Sequence, residues 1–209
     1  IAQVLAGAEH GGAENFFVRL SVALQASGQI DERAFIRRHA HRLESLQRQG
    51  VNAEGFRFGG QFDFYDSWVY RRRLNKFKPD VVMTWMGRAS AATPKGDYVL
   101  VNRLGHYYKL KYYQQADYWV GISKGICRHL IEGGMPEDRV VHIPNFADET
   151  PVEPLPRDSF NTPADVPLLL AAGRLHVNKG FDTLLRALVD VPDAFLWLAG
   201  SGPEEQSLK

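Results

Sequence analysis

Two cations in one loop are the residues of this sequence best suited to bind phosphate. Arg174 and Lys179 follow an apolar run of strand length, 168–172, and precede a segment whose leucines recur at helical spacing. Arginine presents a planar fork of donors to phosphate oxygens, lysine adds a compact charge, and a helix N-terminus contributes backbone N–H groups. The loop is therefore a candidate diphosphate site, although two ordinary charges on a solvated loop would produce the same pattern.

A second apolar run, 194–199, follows the helical segment and ends in Gly200 and Gly202. The order strand, loop, helix, strand predicts a right-handed parallel βαβ unit. Ligands of parallel sheets bind at the carboxyl ends of the strands. We therefore expect Arg174 and Lys179 at one strand end and the two glycines at the next.

The N-terminal segment repeats this order of elements. An apolar strand over 1–5 and a loop over 6–12 precede a helix over 13–27. The glycines of the loop do not fit G-x-G-x-x-G, so a dinucleotide cofactor is poorly supported. Gly11 and Gly12 would let a ligand approach the backbone at the helix start, or they form only a tight turn.

Both loops resemble those of GT-B glycosyltransferases, in particular the large retaining group often called glycosyltransferase family four. The strings G-R-L-x-x-x-K-G-F-D-T-L-L and G-S-G-P-E are similar to the opening of that family's C-terminal domain, and G-G-A-E before a helix resembles its N-terminal loop. The resemblance implies a donor-binding set drawn from both loops: Gly11, Gly12, Arg174, Lys179, Gly200 and Gly202. Within this set the two cations hold the diphosphate of the donor.

A histidine and an arginine follow another predicted strand, 98–102. We place Arg103 and His106 beyond its carboxyl end, where polar residues face the ligand crevice. A histidine at this position has three alternative roles: it donates a hydrogen bond to a sugar hydroxyl, relays a proton, or makes a structural hydrogen bond. The resemblance implies that a histidine after this strand positions the donor sugar. His106 matches that histidine, Arg103 is its rival, and His10 and Arg103 are the acceptor-side candidates.

Composition excludes several classes of site. The formal net charge is +1, which gives no overall field to attract nucleic acid. No apolar run approaches the roughly 20 residues of a membrane helix. The single cysteine excludes an intrachain disulfide and a cysteine zinc cluster. Since no intrachain disulfide is possible, we expect a cytoplasmic protein. His39 and His41 would share one face of a strand, but no carboxylate partner is evident, so we expect no metal and no cofactor.

The segment 62–78 combines aromatic and basic side chains. As a helix it would have one aromatic face and one basic face. One interpretation is a surface for anionic lipid or an anionic acceptor, which would place the protein peripherally on the inner face of a membrane. The other interpretation, favoured on sequence alone, is a solvated helix whose aromatic side chains pack on the sheet.

Alternating strands and helices predict an α/β fold, and the resemblance implies GT-B architecture. We expect a Rossmann-like N-terminal domain over 1–148, a proline-rich linker over 149–167 and the start of a second Rossmann-like domain over 168–209. The last segment holds fewer strands than a doubly wound domain needs, so we expect that domain to be incomplete. The family's pair of sugar- and ribose-binding glutamates would lie downstream of Lys209.

The resemblance implies transfer of a hexose from a nucleotide sugar to a hydroxyl of a glycan, glycolipid or small-molecule acceptor, with retention and without a metal. Negative charge develops on the leaving nucleoside diphosphate, and preorganised cations stabilise such charge. The predicted catalytic residues are His106, Arg174 and Lys179. Two alternatives remain open: a nucleotide-sugar epimerase or phosphorylase on the same fold, and a truncated acceptor-binding module or subunit that needs a partner chain.

Overall fold

The protein folds into two units of alternating strands and helices. A computed structural model describes residues 1–59, 63–147 and 149–209, and the chain divides into compact units over 1–147 and 148–209. The strands are β1 (Ala2–Leu5), β2 (Arg33–Arg37), β3 (Asn52–Phe56), β4 (Val81–Trp85), β5 (Val99–Leu104), β6 (Tyr118–Gly121), β7 (Val140–His142), β8 (Leu168–Ala172) and β9 (Phe195–Ala199). The helices are α1 (Gly12–Ser27), α2 (Ala40–Arg48), α3 (Phe64–Phe77), α4 (Met86–Ala92), α5 (Lys124–Glu132) and α6 (Phe181–Leu188).

The first unit is built on a parallel sheet of seven strands. Their order is β3-β2-β1-β4-β5-β6-β7, and each neighbouring pair is parallel. The chain builds outward from β1 to β3, then returns to pair β4 with β1 and builds in the other direction. The loops that follow β1 and β4 therefore flank the point at which the strand order reverses, where ligands of such sheets bind.

Apolar side chains cover both faces of this sheet, because successive residues of a strand point to opposite sides. On β2, Phe35 belongs to one buried cluster, whereas Ala34 and Ile36 belong to the other. Residues of α3, α4 and α5 complete the first cluster, and residues of α1 and α2 complete the second. The sheet is thus doubly wound, as the alternation of elements predicts.

Helix α3 differs from the interpretation favoured on sequence. Its buried residues are Tyr70 and Leu74, while three aromatic side chains of its first turns stay exposed. These are Phe64, Tyr65 and Trp68, with exposed fractions of 78%, 76% and 54%. The expectation that the aromatics pack on the sheet is wrong for these three, and Phe62 lies outside the described residues. Neither α3 nor any other helix in the described ranges is long and apolar enough to cross a membrane.

The second unit contains the predicted βαβ arrangement, with β8 and β9 paired in parallel around α6. Part of the segment 149–167, predicted as a linker, packs against β9. The Trp197 Nε1–H donates to Thr162 Oγ1 at 2.8 Å, and the Trp197 ring lies 4.8 Å from that of Phe160. An indole ring packs against apolar groups and donates its N–H to an acceptor. Phe160 and Thr162 supply these two partners, so this part of the proline-rich stretch packs against β9.

Candidate functional site

The sequence-predicted residues of the first unit gather at the carboxyl edge of the sheet. His10 and Gly11 lie in the loop after β1, Gly12 begins α1, and His106 follows β5. In the sheet, Leu5 pairs with Trp85 of β4, which pairs in turn with a residue of β5. The loops after β1, β4 and β5 therefore leave the sheet side by side.

The buried carboxylate of Glu14 shapes the loop after β1. Its Oε1 accepts a hydrogen bond from the Ala8 N–H at 2.8 Å, and the residue is only 4% exposed. A Cβ added at Gly7 or Gly11 would lie well under 3.0 Å from the carboxylate oxygens, whereas one at Gly12 would meet no atom within 4 Å. The first two glycines therefore make room for a side chain, and Gly12 leaves open space at the start of α1.

Arg42 of α2 holds the same loop. Its Nη2 donates to the carbonyl oxygens of Ala8 at 2.8 Å and Glu9 at 2.6 Å. Burial lowers the pKa of Arg42, and the carboxylates of Glu14 and Glu9 oppose that shift. Sequence reasoning identified neither Arg42 nor Glu14. The G-G-A-E string contained a signal for Glu14, but one arginine in a helical pattern gives no indication of its target.

His10 of this loop lies beside His41 of α2, and His39 directly precedes that helix. The His41 Nδ1 lies 3.9 Å from Glu9 Oε1, and the rings of His41 and His10 are 4.9 Å apart. The prediction of a shared strand face without a carboxylate partner is wrong, because His39 directly precedes α2 and Glu9 is the partner. Desolvation, with the nearby Arg42 charge, lowers the pKa of His39. No group of acidic, His and Cys residues in the described chain could hold a metal.

Arg103 lies within β5 and not beyond it. Its guanidinium is 4.7 Å from the ring centroid of Phe16 and 4.3 Å from that of Trp85, and it donates to the side-chain oxygen of Asn145. Burial lowers the pKa of Arg103 to about 10. The predicted position after the strand is wrong because aromatic rings can accommodate a guanidinium inside the sheet layer. Its assignment as an acceptor-side candidate stays a prediction.

His106 is exposed beyond β5, as expected, and its ring centroid lies 5.6 Å from that of Tyr108. Tyr108 also lines a pocket of about 510 Å³ between the segments that follow β4 and β5. We name this the β4–β5 pocket; its lining residues are Gly87, Arg88, Ala91, Tyr108, Lys109, Tyr112 and Tyr113. None of these lining residues is among the candidates predicted from the sequence.

In the second unit, Arg174 and Lys179 lie between β8 and α6 with exposed side chains. Lys179 ends a short 3-10 turn, Val177–Lys179, and Gly180 then turns the chain into α6 with a φ of 66°. This left-handed conformation favours glycine. Both cations therefore precede a helix N-terminus, which is the arrangement that favours phosphate.

Gly200 and Gly202 allow the loop after β9 to run against the loop after β8. A Cβ at Gly200 would overlap the carbonyl oxygen of Gly173, and one at Gly202 would overlap that of Leu175. The Leu175 N–H donates to the Ser201 carbonyl at 3.0 Å, which fixes the two backbones together. Close packing of the two loops therefore requires glycine at both positions. The donor-binding role of Gly200 and Gly202 stays a prediction.

We predict that the neighbouring glycines Gly11 and Gly12 respond differently to alanine. Gly11→Ala sets a Cβ against the Glu14 carboxylate and should lower the free energy of unfolding by about 1–3 kcal/mol. Gly12→Ala meets open space and should leave it unchanged or raise it by up to about 1 kcal/mol. Urea unfolding followed by circular dichroism measures both, and equal destabilisation would contradict the role given to Glu14.

Comparisons with known proteins fit this geometry. Two lipopolysaccharide core biosynthesis glycosyltransferases of Rhizobium meliloti, LpsD and LpsE, are 37% and 33% identical over 95% of this chain. The chain spans 58% of the length of each. The structure of Anabaena HepE in complex with UDP-glucose matches with a TM-score of 0.76 at 15% identity, covering 99% of this chain and 63% of that one.

The likeness to HepE concerns the fold, which is that of the GT-B glycosyltransferases. The family model for Glycosyltransferase Family 4 matches residues 10–150, which include Glu14, the β4–β5 pocket and His106. The match therefore covers most of the first unit and its candidate site. This chain belongs to Glycosyltransferase Family 4.

Proposed function

We propose that the protein transfers a hexose from a nucleotide sugar to a hydroxyl of a glycan or glycolipid during lipopolysaccharide core synthesis. The family and the printed names of LpsD and LpsE support the reaction and the class of acceptor. The UDP-glucose complex of HepE supports a nucleotide-sugar donor. The observation that carries the proposal is the loop with Arg174 and Lys179 at the N-terminus of α6.

In this proposal, Arg174 and Lys179 stabilise the leaving group. As the glycosidic bond to the diphosphate breaks, negative charge accumulates on the phosphate oxygens. Fixed cations and the N–H groups at the start of α6 oppose that charge without the need to reorganise solvent. The donor set supplies its own positive charge, so we propose a metal-independent transfer. We propose retention of the anomeric configuration on the basis of the family alone, since no residue of this chain indicates it.

The loop after β1 and the segment after β5 contribute groups to the sugar in this proposal. Gly12 has no atom within 4 Å of the position of a Cβ, so its backbone is open to a ligand. Glu14 and Arg42 keep the loop in this conformation through Ala8. The exposed His106 would donate to a hydroxyl of the donor sugar, and His10 would lie on the acceptor side.

We also propose that α3 makes a peripheral contact with an anionic lipid surface. Its exposed aromatics are followed on the same side of the helix, at spacings of three and four residues, by exposed cations. These cations are Arg71, Arg72 and Lys76. An outward face with aromatic and basic side chains is typical of helices that lie at a membrane interface.

Two acidic residues near the start of α3 are directed away from this outward face, because their carboxylates bind backbone groups of the preceding loop. The Asp66 carboxylate accepts from the Arg57 N–H, and that of Asp63 accepts from the Gly59 N–H at 2.8 Å. Both side chains therefore point to the loop before α3. The outward face offers cations to anionic headgroups and aromatic rings to the acyl boundary.

We predict that Lys179→Ala lowers the rate of transfer at least about tenfold, because one of two charges on the leaving diphosphate is lost. The full-length enzyme is assayed with a panel of nucleotide sugars and a deacylated lipopolysaccharide core, and nucleoside diphosphate release is measured. Arg186→Ala is the control, since Arg186 is an exposed cation of α6 that pairs with Asp182 and should retain the wild-type rate.

A wild-type rate in Lys179→Ala would contradict the assignment of the diphosphate site. Product analysis in the same assay separates the alternative reactions. A transferase yields a glycosylated acceptor, whereas an epimerase alters the nucleotide sugar in the absence of acceptor, and an acceptor-binding module retains the acceptor without turnover.

We predict that Arg71→Gln combined with Arg72→Gln weakens binding to vesicles rich in phosphatidylglycerol about tenfold or more, since each cation near an anionic surface contributes about 1 kcal/mol. Cosedimentation measures the bound fraction. The control pair Lys124→Gln and Arg128→Gln removes the same charge from exposed positions of α5 and should bind as the wild type. Equal loss in both pairs would contradict a specific role for α3.

A further inference from the structure

We infer that the β4–β5 pocket binds a sugar unit of the acceptor that carries a carboxylate or a phosphate group. The inference rests on the proposed function in taking this ligand as part of the acceptor. The binding itself requires no donor and no turnover, so it can be tested separately. Its volume of about 510 Å³ lies within the range of roughly 300–1,000 Å³ that is usual for small-ligand sites.

The charges of the pocket favour an anion. Arg88 and Lys109 are its two charged lining residues, and none of the described residues that line it is acidic. Both side chains are exposed and therefore able to reach a ligand. A guanidinium can bind two oxygens of a carboxylate or phosphate at once, and an ammonium group adds a point charge. A neutral sugar would form no ion pair with either cation.

The walls of the pocket suit the ring of a sugar. The rings of Tyr108 and Tyr113 are stacked with centroids 6.1 Å apart, and Tyr112 is 48% exposed. Aromatic faces pack against the apolar C–H face of a pyranose, while polar groups at the edges bind its hydroxyls. The Lys111 Nζ lies 4.7 Å from the centroid of the Tyr112 ring and adds to the positive charge nearby.

A buried hydroxyl in the pocket has no partner of its own. Tyr113 is 1% exposed, and its Oη forms no hydrogen bond within the described part of the chain. Gly87 packs closely beside it, since a Cβ there would lie 3.4 Å from the Tyr113 Oη and only 3.2 Å from a ring carbon of Tyr112. A buried hydroxyl without a partner is unfavourable. A sugar hydroxyl that reaches the Tyr113 Oη after a small shift of the Tyr112 ring would relieve that cost.

The pocket adjoins a second pocket at the start of α3. Arg88 and Ala91 line a neighbouring pocket of about 300 Å³ that reaches Asp63 and Phe64 at the start of that helix. A saccharide bound beside Arg88 can therefore extend toward the exposed aromatics of α3. This proximity fits an acceptor that is an anionic saccharide attached to a lipid, since the pocket lies near the proposed membrane contact.

The test measures binding of small sugars to the full chain by isothermal titration calorimetry. The probes are methyl galacturonoside, glucose 6-phosphate, methyl glucoside and inorganic phosphate. At least one anionic sugar should bind about tenfold more tightly than methyl glucoside, and the better of the two identifies the group as carboxylate or phosphate. Equal affinity for neutral and anionic sugars, no binding of either anionic sugar, or phosphate binding as tightly as the anionic sugars would overturn the inference.

Variants locate the site. The pair Arg88→Gln and Lys109→Gln should abolish the preference for the anionic sugar, whereas Lys124→Gln with Arg128→Gln on α5 should preserve it. An unchanged preference in the first pair would overturn the inference. If the anionic sugar binds as expected but the full-length protein transfers no sugar, the proposed function fails and the anion-binding pocket stands.

Tyr113→Phe tests the hydroxyl. It should weaken binding of the preferred sugar about fivefold or more and leave the free energy of unfolding unchanged or higher. Tyr70→Phe is the matched control, because the buried Tyr70 Oη pairs with Thr93 Oγ1 at 2.8 Å. That variant should lose stability and keep wild-type affinity for the sugar. Wild-type affinity in Tyr113→Phe would overturn the assignment of its hydroxyl.

Discussion

The buried carboxylate of Glu14 is the constraint on which the edge of the first sheet depends. A carboxylate inside a protein needs hydrogen-bond donors and space. Ala8 supplies the donor, and Gly7 and Gly11 supply the space because neither has a Cβ. The loop after β1 must then follow one path around the carboxylate, and Arg42 holds its carbonyl groups from the other side. In this conformation a Cβ at Gly12 would meet open space.

The glycines of the second unit serve a similar purpose. Gly200 and Gly202 allow one loop backbone to lie on another, and hydrogen bonds from Gly173 to Ala199 and from Leu175 to Ser201 fix the contact. In both units, then, glycines of the family-like strings make room for other atoms of the protein. These glycines are Gly11, Gly200 and Gly202. The spacing of glycines is therefore a weak argument for a ligand, and the cations before α6 carry more of the functional argument.

The order of elements can be predicted from the sequence because the spacing of apolar residues indicates which face of each strand and helix is buried. β8 has the predicted bounds, 168–172, and α1 ends at Ser27, as predicted. Periodicity fails where a side chain is amphipathic. Arg103 is buried between aromatic rings, and Trp68 is exposed although it is aromatic. The β4–β5 pocket could not be predicted from the sequence either, because its lining residues come from two separate segments of the chain.

Net charge is a poor guide to the partners of this protein. Its value of +1 is a sum over the whole chain, and it includes carboxylates that already bind cations or backbone N–H groups of the protein. Glu54 lies 3.7 Å from Arg33 and 3.4 Å from Arg73, while the acidic residues before and within α3 bind backbone N–H groups. The cations that remain on the surface of α3 and in the β4–β5 pocket are therefore available to anions. An acidic glycolipid can be recognised by such local charge even though the overall field is close to zero, because screening limits electrostatic attraction to about 8–10 Å.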